Sequence, residues 1–275
     1  MKATGFTALV TGASSGIGEA AARRLACEPG AELILVARRE ERLRALAESL
    51  TCRATWLALD LTDAHAPERV RAHLDTEGGR LTLLVNNAGG AWRGRFAEAG
   101  YANVRQHMAL NFDAVVRLTE ALLPALRASA PSAIVNVAST AGRVARAGTG
   151  SYSASKFALI GWSDSLYAEE RAHGVHVGLV LPGFIATEGF PATELREKAL
   201  TRWMVSTPER VAEAIVATGL RGKGERYVPR PYALAGIARM LAPRLVRRVL
   251  SGGAASRLTT STAEEAGSSP SRPQA

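Results

Sequence analysis

Short apolar runs alternate with longer amphipathic stretches along most of the 275-residue chain. The segments Thr7–Val10, Leu33–Ala37, Thr55–Leu59, Leu81–Asn86, Ala133–Ser139, Val175–Leu181 and Arg226–Val228 read as strands, and 16–27, 40–50, 67–76, 103–129, 153–173 and 208–219 read as helices. Leu33-Ile34-Leu35-Val36 and Ile134-Val135-Asn136-Val137 are apolar on nearly every residue, which is expected when helices cover both faces of a parallel sheet. The pattern predicts a doubly wound α/β fold of about seven strands, Rossmann-like, over residues 1–230. Ligands of such folds bind outside the carboxyl ends of the strands.

Chemically informative residues fall at those ends. Thr11-Gly12-Ala13-Ser14-Ser15-Gly16-Ile17-Gly18 joins the first strand to the first helix. Gly12 suits a tight turn, Gly16 lets the backbone approach a pyrophosphate and Gly18 allows close packing, while the helix N-terminus offers N–H groups to negative charge. The spacing is GxxxGxG rather than GxGxxG. At the end of the second strand, where an acid for a ribose 2′-OH is usual, stand Arg38 and Arg39. The Arg38 guanidinium suits a bidentate clamp on a 2′-phosphate, so NADP(H) is expected over NAD(H) through Arg38, the other reading being that Arg38 and Arg39 only open the solvated face of the next helix. Asp60, ending the third strand, suits an adenine amino group or a local cap.

Composition narrows the class. With 47% hydrophobic and 21% charged residues the chain is globular, and no apolar run reaches the roughly 18 residues of a membrane helix. The N-terminus enters a strand without a signal-peptide pattern, so a cytoplasmic protein is expected. Two cysteines, Cys27 and Cys52, without clustered histidines predict free thiols and no metal site. The net charge of +9 is uneven: residues 221–275 hold ten basic and three acidic residues, and the rest is nearly balanced. Nucleic-acid binding by the main body is therefore not indicated.

Residues 231–250 form a basic amphipathic extension, and 251–275, where Leu258 alone is large and apolar, should be a disordered tail. Leu245, Val246, Val249 and Leu250 share one helical side, and Arg244, Arg247 and Arg248 the other; Leu234, Ile237 and Leu241 extend the stripe. Packing on the parent domain, pairing with another subunit of a homo-oligomer and contact with an anionic membrane all fit. Packing on self or partner is the expectation, with peripheral membrane contact second.

Tyr152 and Lys156 stand four residues apart, on one helical face. With five tyrosines and only four lysines, an accidental YxxxK has an expectation of roughly 0.07. A free phenol titrates near pH 10, and a neighbouring cation lowers that value toward working pH. Taken with Gly12–Gly18, Asn86-Asn87-Ala88-Gly89, Asn111, Ser139 thirteen residues before Tyr152, and Pro182-Gly183 with Thr187, the chain resembles the short-chain dehydrogenase/reductase family over residues 6 to about 228.

That resemblance implies interconversion of a small-molecule carbonyl and an alcohol by hydride transfer. Tyr152 would be general acid or base, Ser139 would orient the substrate oxygen, and Lys156 would tune Tyr152 and bind the cofactor ribose. Asn111 would order a water in a proton relay. Asn87, Ala88 and Gly89 would support the cofactor, with Ser14, Ser15 and Ile17 in the turn, and Pro182, Gly183, Ile185 and Thr187 would meet the nicotinamide side. Segments 90–96 and 188–206, with Phe190, Trp203 and Met204, are the expected substrate-facing loops. A non-catalytic NADP(H) sensor or scaffold on the same fold is the alternative.

Overall fold

The structure, a computed structural model, describes residues 5–186 and 204–251. Seven strands form one parallel sheet: β1 (Phe6–Thr11), β2 (Ala31–Ala37), β3 (Arg53–Ala58), β4 (Leu83–Asn86), β5 (Ser132–Val137), β6 (Val175–Pro182) and, later in the chain, β9 (Glu225–Val228). Their order is β3-β2-β1-β4-β5-β6-β9, so the direction of strand addition reverses between β1 and β4. This is the crevice at which doubly wound sheets take ligands.

The all-apolar strands feed two cores. Leu33 and Leu35 face α1 (Gly16–Ala26), α2 (Glu40–Ser49) and α7 (Pro208–Gly219), where Leu25, Leu43 and Ile215 are fully buried. Ile34 and Val36 point the other way, to α3 (Ala66–Thr76) and α5 (Ala114–Ala128), with Val70, Leu74, Leu118 and Leu122. Adjacent residues serve opposite layers because strand side chains alternate in direction.

The predicted single helix 103–129 is instead three pieces. α4 (Phe96–Met108) contains Gly100 at φ 59°, a π-turn covers Ala109–Asp113, and α5 follows. The apolar period runs through the junction, so the inserted residue leaves little trace in the pattern. The helix predicted from 153 begins earlier: α6 spans Gly150–Glu170, and a 3₁₀ turn at Arg171–His173 completes it. Two short strands, β7 (Phe184–Ile185) and β8 (Val205–Ser206), pair beside the sheet and are too brief to show periodicity.

After β9 come α8 (Tyr232–Leu241) and α9 (Pro243–Ser251). The apolar stripe of this extension does not pack on its own domain: only Gly236 of α8 is buried, and no residue of α9 is. Residues 252–275, expected as a tail, lie outside the described residues. No described helix is long and apolar enough to cross a membrane.

Candidate active site

The turn after β1 is built by close approach. Gly12 and Gly16 have φ of 66° and 57°, where a side chain is strained. A Cβ on Gly12 would lie 2.9 Å from Ala88 Cα, and one on Gly18 would run into the Gly12 carbonyl oxygen. Thr11 Oγ1 accepts from the backbone N–H groups of Asn87 and Ala88 at 2.9 and 3.0 Å, and Asn87 Nδ2 donates to Thr11 O at 2.9 Å. The ends of β1 and β4 are thus clasped together. Ser15, the N-cap of α1, makes no side-chain cap, leaving the helix start as a backbone cradle of the kind that takes a phosphate.

Across the cradle the two arginines divide. Arg39 Nη2 donates to Ser15 Oγ at 2.7 Å and Ser14 Oγ at 3.1 Å, lying over the turn. Arg38 is 76% exposed, with Nη1 3.9 Å from Asp60 Oδ2. Asp60 Oδ1 accepts from the Thr62 N–H and hydroxyl at 2.9 and 2.8 Å, the local cap weighed above. Burial pushes the Asp60 carboxyl up, but the Thr62 bonds and Arg38 hold it below its ordinary value.

Ser139, Tyr152 and Lys156 converge where β5 meets α6. Ser139 follows the strand in extended conformation; its Oγ accepts from the Ala141 N–H at 3.1 Å and donates to Pro182 O at 3.3 Å. The half-buried Tyr152 lies close by on α6. Burial raises the Tyr152 pKa, while the nearby Ser139 hydroxyl and the charges of Arg146 and Arg93 pull the other way. Lys156 lies with Nζ 5.9 Å from the Tyr152 ring centre and donates to Val137 O at 3.0 Å. Burial brings its pKa down to about 8.

Asn111 sits in the π-turn with no exposed surface. Its Oδ1 accepts from Gly90 N at 2.9 Å, and its Nδ2 donates to Gly90 O at 2.9 Å and Ser155 Oγ at 3.1 Å. Both side-chain protons are committed, so the amide pins Gly90 to α6 and has none left to donate to a relay water. At neighbouring Gly89 a Cβ would lie 3.0 Å from Asn111 Oδ1 and 3.6 Å from Lys156 Nζ.

The loop after Gly90 is held by a residue that sequence patterning passes over. His107 is fully buried on α4; its Nε2 accepts from the Trp92 N–H at 3.0 Å, so Nδ1 carries the proton given to Asn103 O at 2.8 Å. Burial lowers its pKa, with the Asn103 bond opposing. Its ring lies 5.0 Å from Trp92 and 6.0 Å from Tyr152. Opposite, Arg146 stacks over Phe184 at 4.7 Å. Gly183 N donates to Val228 O at 2.8 Å, and its bare Cα is covered by the Tyr232 ring. Tyr232 in turn donates from its hydroxyl to Met204 O at 3.1 Å. Ile185 is buried beside them; Thr187, Phe190 and Trp203 lie outside the described residues. Among the described residues no cluster could hold a metal ion.

A glycine cradle thus lies at the strand reversal, with Ser139, Tyr152 and a buried Lys156 grouped beside it. In comparison with known proteins, the short chain dehydrogenase family matches residues 6–198. The chain belongs to that family and is an oxidoreductase working between CH–OH and C=O with a nicotinamide cofactor. It is 33% identical to the ketoacyl reductase HetN of Nostoc over 216 residues, covering 78% of this chain and 75% of HetN. To the 3-oxoacyl-[acyl-carrier-protein] reductase FabG of Escherichia coli it is 35% identical over 188 residues, 68% of this chain and 77% of FabG. The oxidoreductase UcpA of Salmonella typhimurium is 36% identical over 190 residues, 68% and 72% respectively.

Proposed function

We propose that the protein is an NADP(H)-dependent carbonyl reductase or alcohol dehydrogenase in which Tyr152 is the acid–base group. The observation that carries this reading is the convergence of Ser139 and Tyr152 beside the buried Lys156, whose Nζ lies 5.9 Å from the Tyr152 ring centre. Ser139 holds the substrate oxygen, and Tyr152 gives it a proton in reduction or takes one in oxidation. The nicotinamide, when bound, supplies or accepts the hydride.

The cradle of Gly12–Gly18 suits the pyrophosphate, since a Cβ at Gly12 or Gly18 would fill it. Arg39, over Ser14 and Ser15, and Arg38 beside it suit a 2′-phosphate, which supports NADP(H). Lys156 is placed to serve the ribose, and Asn111 positions the Gly89–Gly90 backbone. Retention of serine, tyrosine and lysine disfavours a non-catalytic scaffold. The names of HetN and FabG support a ketone as substrate; the extension after β9 gives no reason to choose an acyl-carrier thioester.

The test is oxidation of NADPH or NADH by purified protein over ketones and aldehydes of graded size, run with Tyr152→Phe alongside. Turnover that the variant loses supports the reading. Turnover that the variant keeps removes Tyr152 from the chemistry, and cofactor binding without turnover of any carbonyl or alcohol returns the scaffold alternative.

A further inference from the structure

We infer that α8 and α9 form a docking surface for an anionic phospholipid bilayer, with both helices lying in the plane of the interface. α8 is anchored to the domain by one face only. Tyr232 covers Gly183, and Gly236 approaches Tyr227 and Arg143, where a Cβ would meet Tyr227 Oη at 3.5 Å. The opposite face is thereby held outward. Leu234, Ile237, Met240 and Leu241 on α8, and Leu245 and Val249 on α9, are 51–82% exposed. Six large apolar side chains on nineteen helical residues form a patch that a soluble surface does not ordinarily display.

The charge selects the occupant. Residues 229–251 contain five arginines, Arg230, Arg239, Arg244, Arg247 and Arg248, and no acid. In α9 the arginines lie opposite the apolar side chains, so inserting the stripe keeps the guanidinium heads at headgroup level while their stems lie along the acyl boundary. A second copy fits less well, because a symmetric contact gathers ten arginines around one interface to which neither helix pair brings a carboxylate. The following residues 252–275 offer one large apolar side chain, Leu258, to cover the stripe. At ten and nine residues the helices are too short to span, and surface binding is the geometry left.

The test is co-flotation of the full chain with vesicles of phosphatidylglycerol and phosphatidylcholine, or of phosphatidylcholine alone. Partition should be at least about tenfold stronger on the anionic vesicles and fall with salt. Each arginine near such a surface contributes roughly fivefold, so replacing Arg244, Arg247 and Arg248 by Gln together should weaken binding about a hundredfold. Leu241→Asn with Leu245→Asn should abolish it, and unchanged thermal melting of both variants shows that the domain is intact. Equal partition on the two vesicle types, insensitivity to the arginine substitutions, or an oligomer that dissociates in the leucine variant without any vesicle binding would each overturn the inference.

Discussion

Lys156 donates from Nζ to the carbonyl oxygen of Val137 at 3.0 Å, reaching from α6 to the last residue of β5 with 4% of its surface exposed. A lysine so enclosed resists its charge, and its pKa falls from 10.5 to about 8. Between those values the unfolded chain holds a proton that the folded chain has released, so unfolding becomes harder as pH rises. Below 8 both states are charged and the burial cost is fully present. At about 1.4 kcal/mol per unit, the gain across the window is on the order of 3 kcal/mol. Lys156→Met should flatten this rise, as measured by denaturant midpoints from pH 7.5 to 10.5.

Tyr152 must be ionised to act as a base, so alcohol oxidation should rise with pH through its pKa. Arg146 favours the phenolate. Arg146→Met therefore moves the limb of the kcat profile to higher pH, while an unmoved limb would remove Arg146 from the electrostatics of the site. Tyr152→Phe should lower kcat about 100-fold or more with cofactor affinity little changed.

Cofactor choice is expected to depend more on Arg39 than on Arg38, since Arg39 lies over the turn and Arg38 beside Asp60. A charge-assisted pair with a 2′-phosphate contributes roughly 1.5–3 kcal/mol, one to two decades in affinity. Arg39→Ala should weaken NADPH by about that factor and leave NADH within a few-fold; Arg38→Ala should do less. Fluorescence titration of both cofactors checks the ranking.

Asn111→Ala leaves the half-buried Gly90 N–H and C=O without their side-chain partner. Each lost bond costs about 0.5–1.5 kcal/mol where water can replace it, so a total loss of about 1–3 kcal/mol is expected. Thermal and denaturant melting measure it, and a loss below 1 kcal/mol would show that the amide does not hold the loop.

The parallel sheet and the Ser139, Tyr152 and Lys156 constellation were legible because both are local. A run of apolar residues announces a strand buried on both faces, and a four-residue spacing places two side chains together whatever surrounds them. The division of labour between Arg38 and Arg39 was not, because neighbours at a strand end differ only in the side to which the chain turns. His107 reads as one polar residue on an amphipathic helix; it is buried because the loop carrying Trp92 folds back on it, a contact fifteen residues distant. Arg146 joins the site through Phe184, thirty-eight residues on, which no short window relates. The extension gave up its stripe readily, but whether that stripe faces inward depended on Tyr232 finding Gly183.

The strand order carries a consequence for synthesis. β1 is made first and ends in the middle of the sheet, with β2 on one edge and, only after β3 and α3, β4 on the other. A chain emerging from the ribosome can therefore complete the cradle, with its Asn87–Thr11 clasp, while Ser139 and Tyr152 are still unmade. The half that grips the dinucleotide can exist before the half that uses it, and until β5 arrives the free edge of β4 is an open row of backbone donors and acceptors. Slow translation through residues 90–130 would prolong that exposure, making this stretch the one where nascent-chain aggregation should concentrate.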